Sequence, residues 1–114
     1  MILELIAALA MQARLKTAGF NEAEMILAGP TPAAQCLIVR LKGRGEQRPI
    51  LFIGHLDVVE ALPADWTTDP FKLVEKDGYF YGRGTMDMKD GVAAMVMSLI
   101  WMKQTGYIPR GDII

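Results

Sequence analysis

The stretch ILFIGHLDVVE, residues 50–60, decides how the rest of the chain is read. Ile50 to Gly54 carry no charge, and the run then delivers His55, the sole histidine of the chain, and Asp57. A run apolar on both faces predicts a central strand covered on both sides, as in α/β layers. In a strand, residues i and i+2 share a face, with Cα atoms roughly 6.6 Å apart. His55 and Asp57 are therefore expected to face one cleft at a strand's carboxyl end, where sites of α/β sheets form. One ring nitrogen of a histidine placed there binds a metal. The other donates its proton to a carboxylate, which fixes the tautomer.

Outward from this stretch, the chain alternates helical and strand-like segments. Ile2, Leu5, Ile6 and Leu9 repeat at i, i+3, i+4, i+7 and predict an amphipathic helix over residues 2–18, stopped by Gly19. Residues 21–32, with Gly29, Pro30 and Pro32, read as a connector. AQCLIVRLKG (residues 34–43) reads as a strand, rich in residues that favour pleated, buried surface. Residues 61–70 form an irregular loop. Asp77-Gly78, between VEK and YFY, predicts a hairpin, because a type I′ turn needs positive φ at both central positions. Residues 88–104 predict a second helix. It is apolar round most of its circumference, so a larger body is expected to bury it. GDII (residues 111–114) reads as the start of a strand. The fold class is therefore α/β. The nearly all-apolar helix and the two-residue apolar strand-start mark residues 1–114 as the front part of a longer domain.

Composition narrows the function classes. With 114 residues, 52% hydrophobic and 22% charged, the chain suits one modest ordered domain. A net charge of −1 with no Lys/Arg stripe argues against a nucleic-acid partner. No apolar run has the length of a membrane span. Glu4 interrupts the apolar start and no basic residue precedes it, which argues against a signal peptide here and favours a cytoplasmic location. The lone Cys36 is expected as a buried core thiol. The eight methionines read as core fillers.

A second carboxylate follows in GRGTMDMKDG (residues 82–91), where Asp87 stands between a glycine turn and a helix start. A carboxylate there bonds helix-start amides or presents oxygens to a cation. GRGTMD also approaches a dinucleotide loop, but Asp87 replaces the third glycine and sets negative charge where a pyrophosphate would sit. Lys89 and Asp90 read as solvated first-turn residues. Arg83 suits a turn role, the placing of Asp87 or contact with a substrate carboxylate. Trp66 and Phe71 are expected to anchor the 61–70 loop on the core, the alternative being that Trp66, Asp69, Pro70 and Phe71 line the cleft entrance.

In order, GHLDVV, WTTDPF and DGYFYGRGTMDMKDGVAA resemble the zinc-dependent aminoacylase and carboxypeptidase metallopeptidases, a family including acetylornithine deacetylase, succinyl-diaminopimelate desuccinylase, carnosinase-like dipeptidases and carboxypeptidase G-like enzymes. The resemblance covers residues 50–91. It implies an α/β/α zinc-peptidase catalytic domain, truncated here, with the lid domain absent. It implies that His55 and Asp87 are metal ligands, Asp87 bridging two zinc ions (manganese or cobalt also fit), and that Asp57 is the catalytic residue orienting His55. The Asp87–Met88 bond is commonly cis in such proteins. The implied activity is hydrolysis of amide bonds in N-acyl amino acids or small peptides, by a parent that dimerises through its lid. A Glu-Glu pair carrying the general base is expected beyond Ile114, so the 114 residues alone are expected to be inactive. The alternative is a non-catalytic binding or assembly domain on the same scaffold.

Overall fold

A computed structural model describes residues 2–114, with side chains from residue 5 onward. Helix α1 spans Ile2–Thr17 and helix α2 Asp90–Gln104. Strands β1 (Met25–Thr31) and β2 (Ala34–Val39) form one antiparallel hairpin. Strands β3 (Val74–Lys76) and β4 (Tyr79–Tyr81) form another.

α1 closes as expected. The Phe20 N–H donates to Leu15 O at 3.1 Å and the Gly19 N–H to Lys16 O at 3.0 Å, the paired bonds of a Schellman stop. Its buried face differs from the expected one. Ala8 and Leu15 are fully buried, whereas Ile6 and Leu9 are exposed, and the Ile2 side chain lies outside the described residues. Residues 8 and 15 stand two turns apart on the side that meets the hairpin and α2, so the neighbours select the stripe.

The expected connector over residues 21–32 is overturned, because Met25–Thr31 is a strand. Met25 pairs with Val39 and Leu27 with Leu37, and the register shifts between Ala28 and Thr31, where Pro30 sits. A proline has no N–H for a ladder and is tolerated at an edge or a bulge; β1 is an edge strand and provides both. Cys36 is exposed rather than buried. Along β2 the side chains alternate, with Val39 buried and Leu37 packed against the core, while Cys36 and Ile38 face outward.

The core joins α1, the first hairpin and α2 through Leu15, Phe20, Met25, Val39, Leu41, Leu99 and Ile100. Beyond β2, Leu41 bridges Ile113 antiparallel, and Ile113 bridges Ile50 in parallel. Residues 112–114 therefore lie between Leu41 and residues 50–52. The connection from Ile50 through α2 to Ile113 is a strand–helix–strand crossover, the unit of α/β folds. Ladder contacts run from Ile50 N–H to Asp112 O at 2.9 Å and from Phe52 N–H to Ile114 O at 2.8 Å. The expected strand over residues 50–55 is thus paired only in its first part, and His55 lies beyond its last rung. Ile50, Leu51, Phe52 and Ile53 are exposed, so the covering on both faces that the sequence suggests is absent among the described residues. No helix of the described residues is long and apolar enough to cross a membrane.

A half-buried ion pair ties the far end of α2 to the start of the hairpin. Lys103 donates to Glu24 Oε1, with side chains 25% and 19% exposed. Burial pushes the Glu24 carboxyl upward, but the Lys103 ammonium and the Asn21 N–H outweigh it and hold it below its ordinary 4.5. A carboxyl lowered on folding stabilises fully above its unfolded value, and that stability is lost as pH falls through the folded one. Glu24→Gln is expected to destabilise by about 1 kcal/mol at neutral pH. Urea unfolding from pH 7 down to pH 3 should show the gap from wild type closing with acid; a gap unchanged with pH refutes the assignment.

Candidate metal centre

The site is built where two segments distant in sequence meet. Residues 55–58 follow the paired strand without regular structure. Residues 82–89 arrive from β4 through a glycine turn and a loosely wound turn over Thr85–Lys89, in which Asp87 (φ −131°, ψ 93°) and Met88 (φ −137°, ψ 42°) are not helical. The Lys89 N–H donates to Gly84 O at 3.0 Å and closes that turn. The Asp87–Met88 peptide is cis. Helix α2 begins only at Asp90, two residues later than expected.

His55 stands between two carboxylates. Its Nδ1 lies 3.1 Å from Asp57 Oδ1 and 3.2 Å from the Asp57 backbone oxygen, and its Nε2 lies 3.1 Å from Asp87 Oδ1. Both neighbours of Nδ1 are acceptors, so Nδ1 carries the proton. The Asp57 backbone acceptor, opposed by a little desolvation and joined by the charges of Asp57 and Asp87, holds the His55 pKa above its ordinary 6.5. In this state a proton lies between Nε2 and Asp87, between two Lewis bases. A divalent cation suits the same place. Zinc bonds to nitrogen and oxygen of about 2.0–2.1 Å in tetrahedral geometry set such donors about 3.3 Å apart, close to the observed separation. Among the described residues no three His, Cys, Asp or Glu converge as a metal group. Asp57 grips the far side of the ring, leaving His55 and Asp87 as the facing donors.

The three expected site residues are thus together, on the wall of an open cavity of about 290 Å³ that also takes in Trp66, Arg83 and Thr85. Trp66 is half-buried under the Arg83 guanidinium, which lies 5.1 Å from its ring centre. The Arg83 N–H donates to Pro70 O at 2.7 Å, and Nη2 reaches Glu60 O at 3.4 Å. Arg83 therefore clamps the 60–70 loop beside the site, a turn role. Phe71 corrects the expectation for that loop. It is 67% exposed, and fully buried Pro70 is the anchor instead. Lys89 is a second correction. It is half-buried, not solvated, and its Nζ donates to Leu56 O at 2.5 Å. Its partner is 33 residues away, and no local sequence pattern announces such a contact.

The profile described as Peptidase family M20/M25/M40 matches residues 51–114. A probable succinyl-diaminopimelate desuccinylase of Staphylococcus aureus (strain MRSA252) is 51% identical over 71 residues, which are 60% of this chain and 17% of that protein. An N-fatty-acyl-amino acid synthase/hydrolase of Xenopus tropicalis is 44% identical over 62 residues, 54% of this chain and 12% of that protein. The crystal structure of human carnosine dipeptidase 1 superposes with a TM-score of 0.71 at 28% identity, covering 97% of this chain and 25% of that one. The chain thus spans under a fifth of the length of the desuccinylase and of the synthase/hydrolase and a quarter of the dipeptidase, and its α/β arrangement is part of the dipeptidase fold. With its matched segment holding both His55 and Asp87, the chain belongs to the M20/M25/M40 peptidase family.

Proposed function

We propose that residues 1–114 are the N-terminal portion of the catalytic domain of a metal-dependent hydrolase, one that cleaves amide bonds in N-acyl amino acids or small peptides. The observation that carries this reading is the His55 ring held between Asp57 and Asp87. The relatives' names, a desuccinylase, an acyl-amino acid synthase/hydrolase and a dipeptidase, share an amide beside an amino-acid carboxylate.

Each residue has a distinct task. Asp57 accepts from Nδ1, fixes the tautomer and leaves Nε2 as the donor atom. His55 Nε2 and an Asp87 oxygen would hold a cation, and Asp87, 88% exposed, would keep lone pairs open to a second one. Imidazole with carboxylates suits zinc, and the same donors serve manganese or cobalt. When bound, such ions polarise a carbonyl and acidify a water. Two facing donors are too few for a dinuclear centre, so the 114-residue chain should bind one divalent ion weakly and turn nothing over.

Calorimetric titration with Zn²⁺ or Co²⁺ tests this. The expected dissociation constant is above about 1 μM, with binding lost in His55→Ala and in Asp87→Asn. Equal binding by wild type and His55→Ala overturns the site. Submicromolar binding lost in His55→Ala overturns the claim that it is half built.

A further inference from the structure

Lys89 has no task in the proposal above, yet its half-buried ammonium reaches across the site to the Leu56 carbonyl. Among the described residues, two hydrogen bonds join the 54–58 segment to the 84–91 segment. One is His55 Nε2 with Asp87; the other is Lys89 Nζ to Leu56 O. The first runs through the two donor atoms themselves, so a bound cation would replace it. The second then remains as the polar tether between segments. It grips the carbonyl of the residue lying between His55 and Asp57. The Lys89 N–H donates to Gly84 O at 3.0 Å, so its amide anchors the residue in its own turn while its side chain reaches across to the other half of the site. The stem has a built path, because its Cδ passes 3.6 Å from where a Gly84 Cβ would stand.

We infer that Lys89 is a positioning residue, which sets the separation of His55 Nε2 and Asp87 by bolting the Leu56 carbonyl to the turn that carries Asp87. An ammonium beside a cation site opposes cation binding by Coulomb repulsion. Geometry and charge therefore make opposite forecasts for its removal, and this separates them. The inference rests on the metal reading for one arm of its test and is free of it in the other.

Lys89→Met keeps the stem and removes the donor; Lys89→Arg keeps both charge and donor. In Co²⁺ titrations of the 114-residue chain, Lys89→Met is expected to bind about tenfold more weakly, the scale of losing an outer partner of a ligand. Lys89→Arg should recover most of that. Unchanged or tighter binding in Lys89→Met overturns the inference, since charge removal alone tightens it. Without metal, amide hydrogen exchange of residues 55–58 and 84–88 should quicken together in Lys89→Met and recover in Lys89→Arg, with α1 and the first hairpin unaltered. Unchanged exchange in those segments overturns it. If wild type and His55→Ala bind Co²⁺ alike, the metal reading falls, and the exchange arm still decides the role of Lys89.

Discussion

Leu15→Ala is expected to remove 2–5 kcal/mol of stability, the range for a buried leucine that leaves a cavity behind. Leu15 is fully buried at the meeting point of α1, the first hairpin and α2, among Phe20, Met25, Val39, Leu41, Leu99 and Ile100. Those side chains belong to separate elements, so none moves into the space without dragging its backbone. Domains have about 5–15 kcal/mol in all. This one has a short buried apolar roster and leaves Ile50 to Ile53, Met97 and Trp101 exposed, so the loss is a large share of the whole. Leu9→Ala is the control: same helix, same chemistry, but a side chain 44% exposed. Urea unfolding followed by circular dichroism should place the Leu15 variant far below the Leu9 variant, near or past its midpoint without denaturant. Equal costs would mean that the core has been assigned to the wrong face of α1.

That pair also shows where sequence reading reached its limit. The 3.6-residue period located α1 to within a residue, and Gly19 marked its end. The period pointed to the Ile6/Leu9 stripe, whereas the fold buries Ala8 and Leu15, because the buried face depends on what α1 packs against. Asp77-Gly78 was legible for the opposite reason. Its conformation is local, and both residues do take positive φ, 53° and 79°. β1 was hidden because Gly29 and Pro30 signal a break, while the bulge that accommodates them is a property of the pair with β2. At the site, His55 and Asp57 were legible as two residues of one face. Asp87 became legible only through resemblance, since on local grounds it reads more readily as a helix cap. Lys89 stayed illegible, as its role lies in a contact across the fold.

Gly84→Ala is expected to damage fold and site together. Gly84 has φ +81°, a left-handed conformation that disfavours residues with a Cβ by about 1–2 kcal/mol. The added Cβ would also stand 2.5 Å from Val58 Cγ1. Valine is β-branched and stiff at χ1, so relief must come from the backbone at residue 58, next to Asp57, or from the turn itself. Overpacking of this kind adds about 1–3 kcal/mol. Either movement separates the strand end from Asp87, so Co²⁺ binding should weaken by about tenfold or more, the effect expected when a ligand's support is displaced. Gly78→Ala isolates the conformational part. Gly78 has φ +79° but nothing within 4 Å of an added Cβ, so it should suffer the conformational penalty alone and leave metal affinity unaltered. Adding Val58→Ala to Gly84→Ala should restore much of the stability difference between the two glycine variants, but not the part due to φ. Unfolding by urea and Co²⁺ titration on the four proteins read these quantities separately. If Gly84→Ala matched Gly78→Ala in both, the turn would not be packed against the strand end, and the mutual placement of His55 and Asp87 would need another cause.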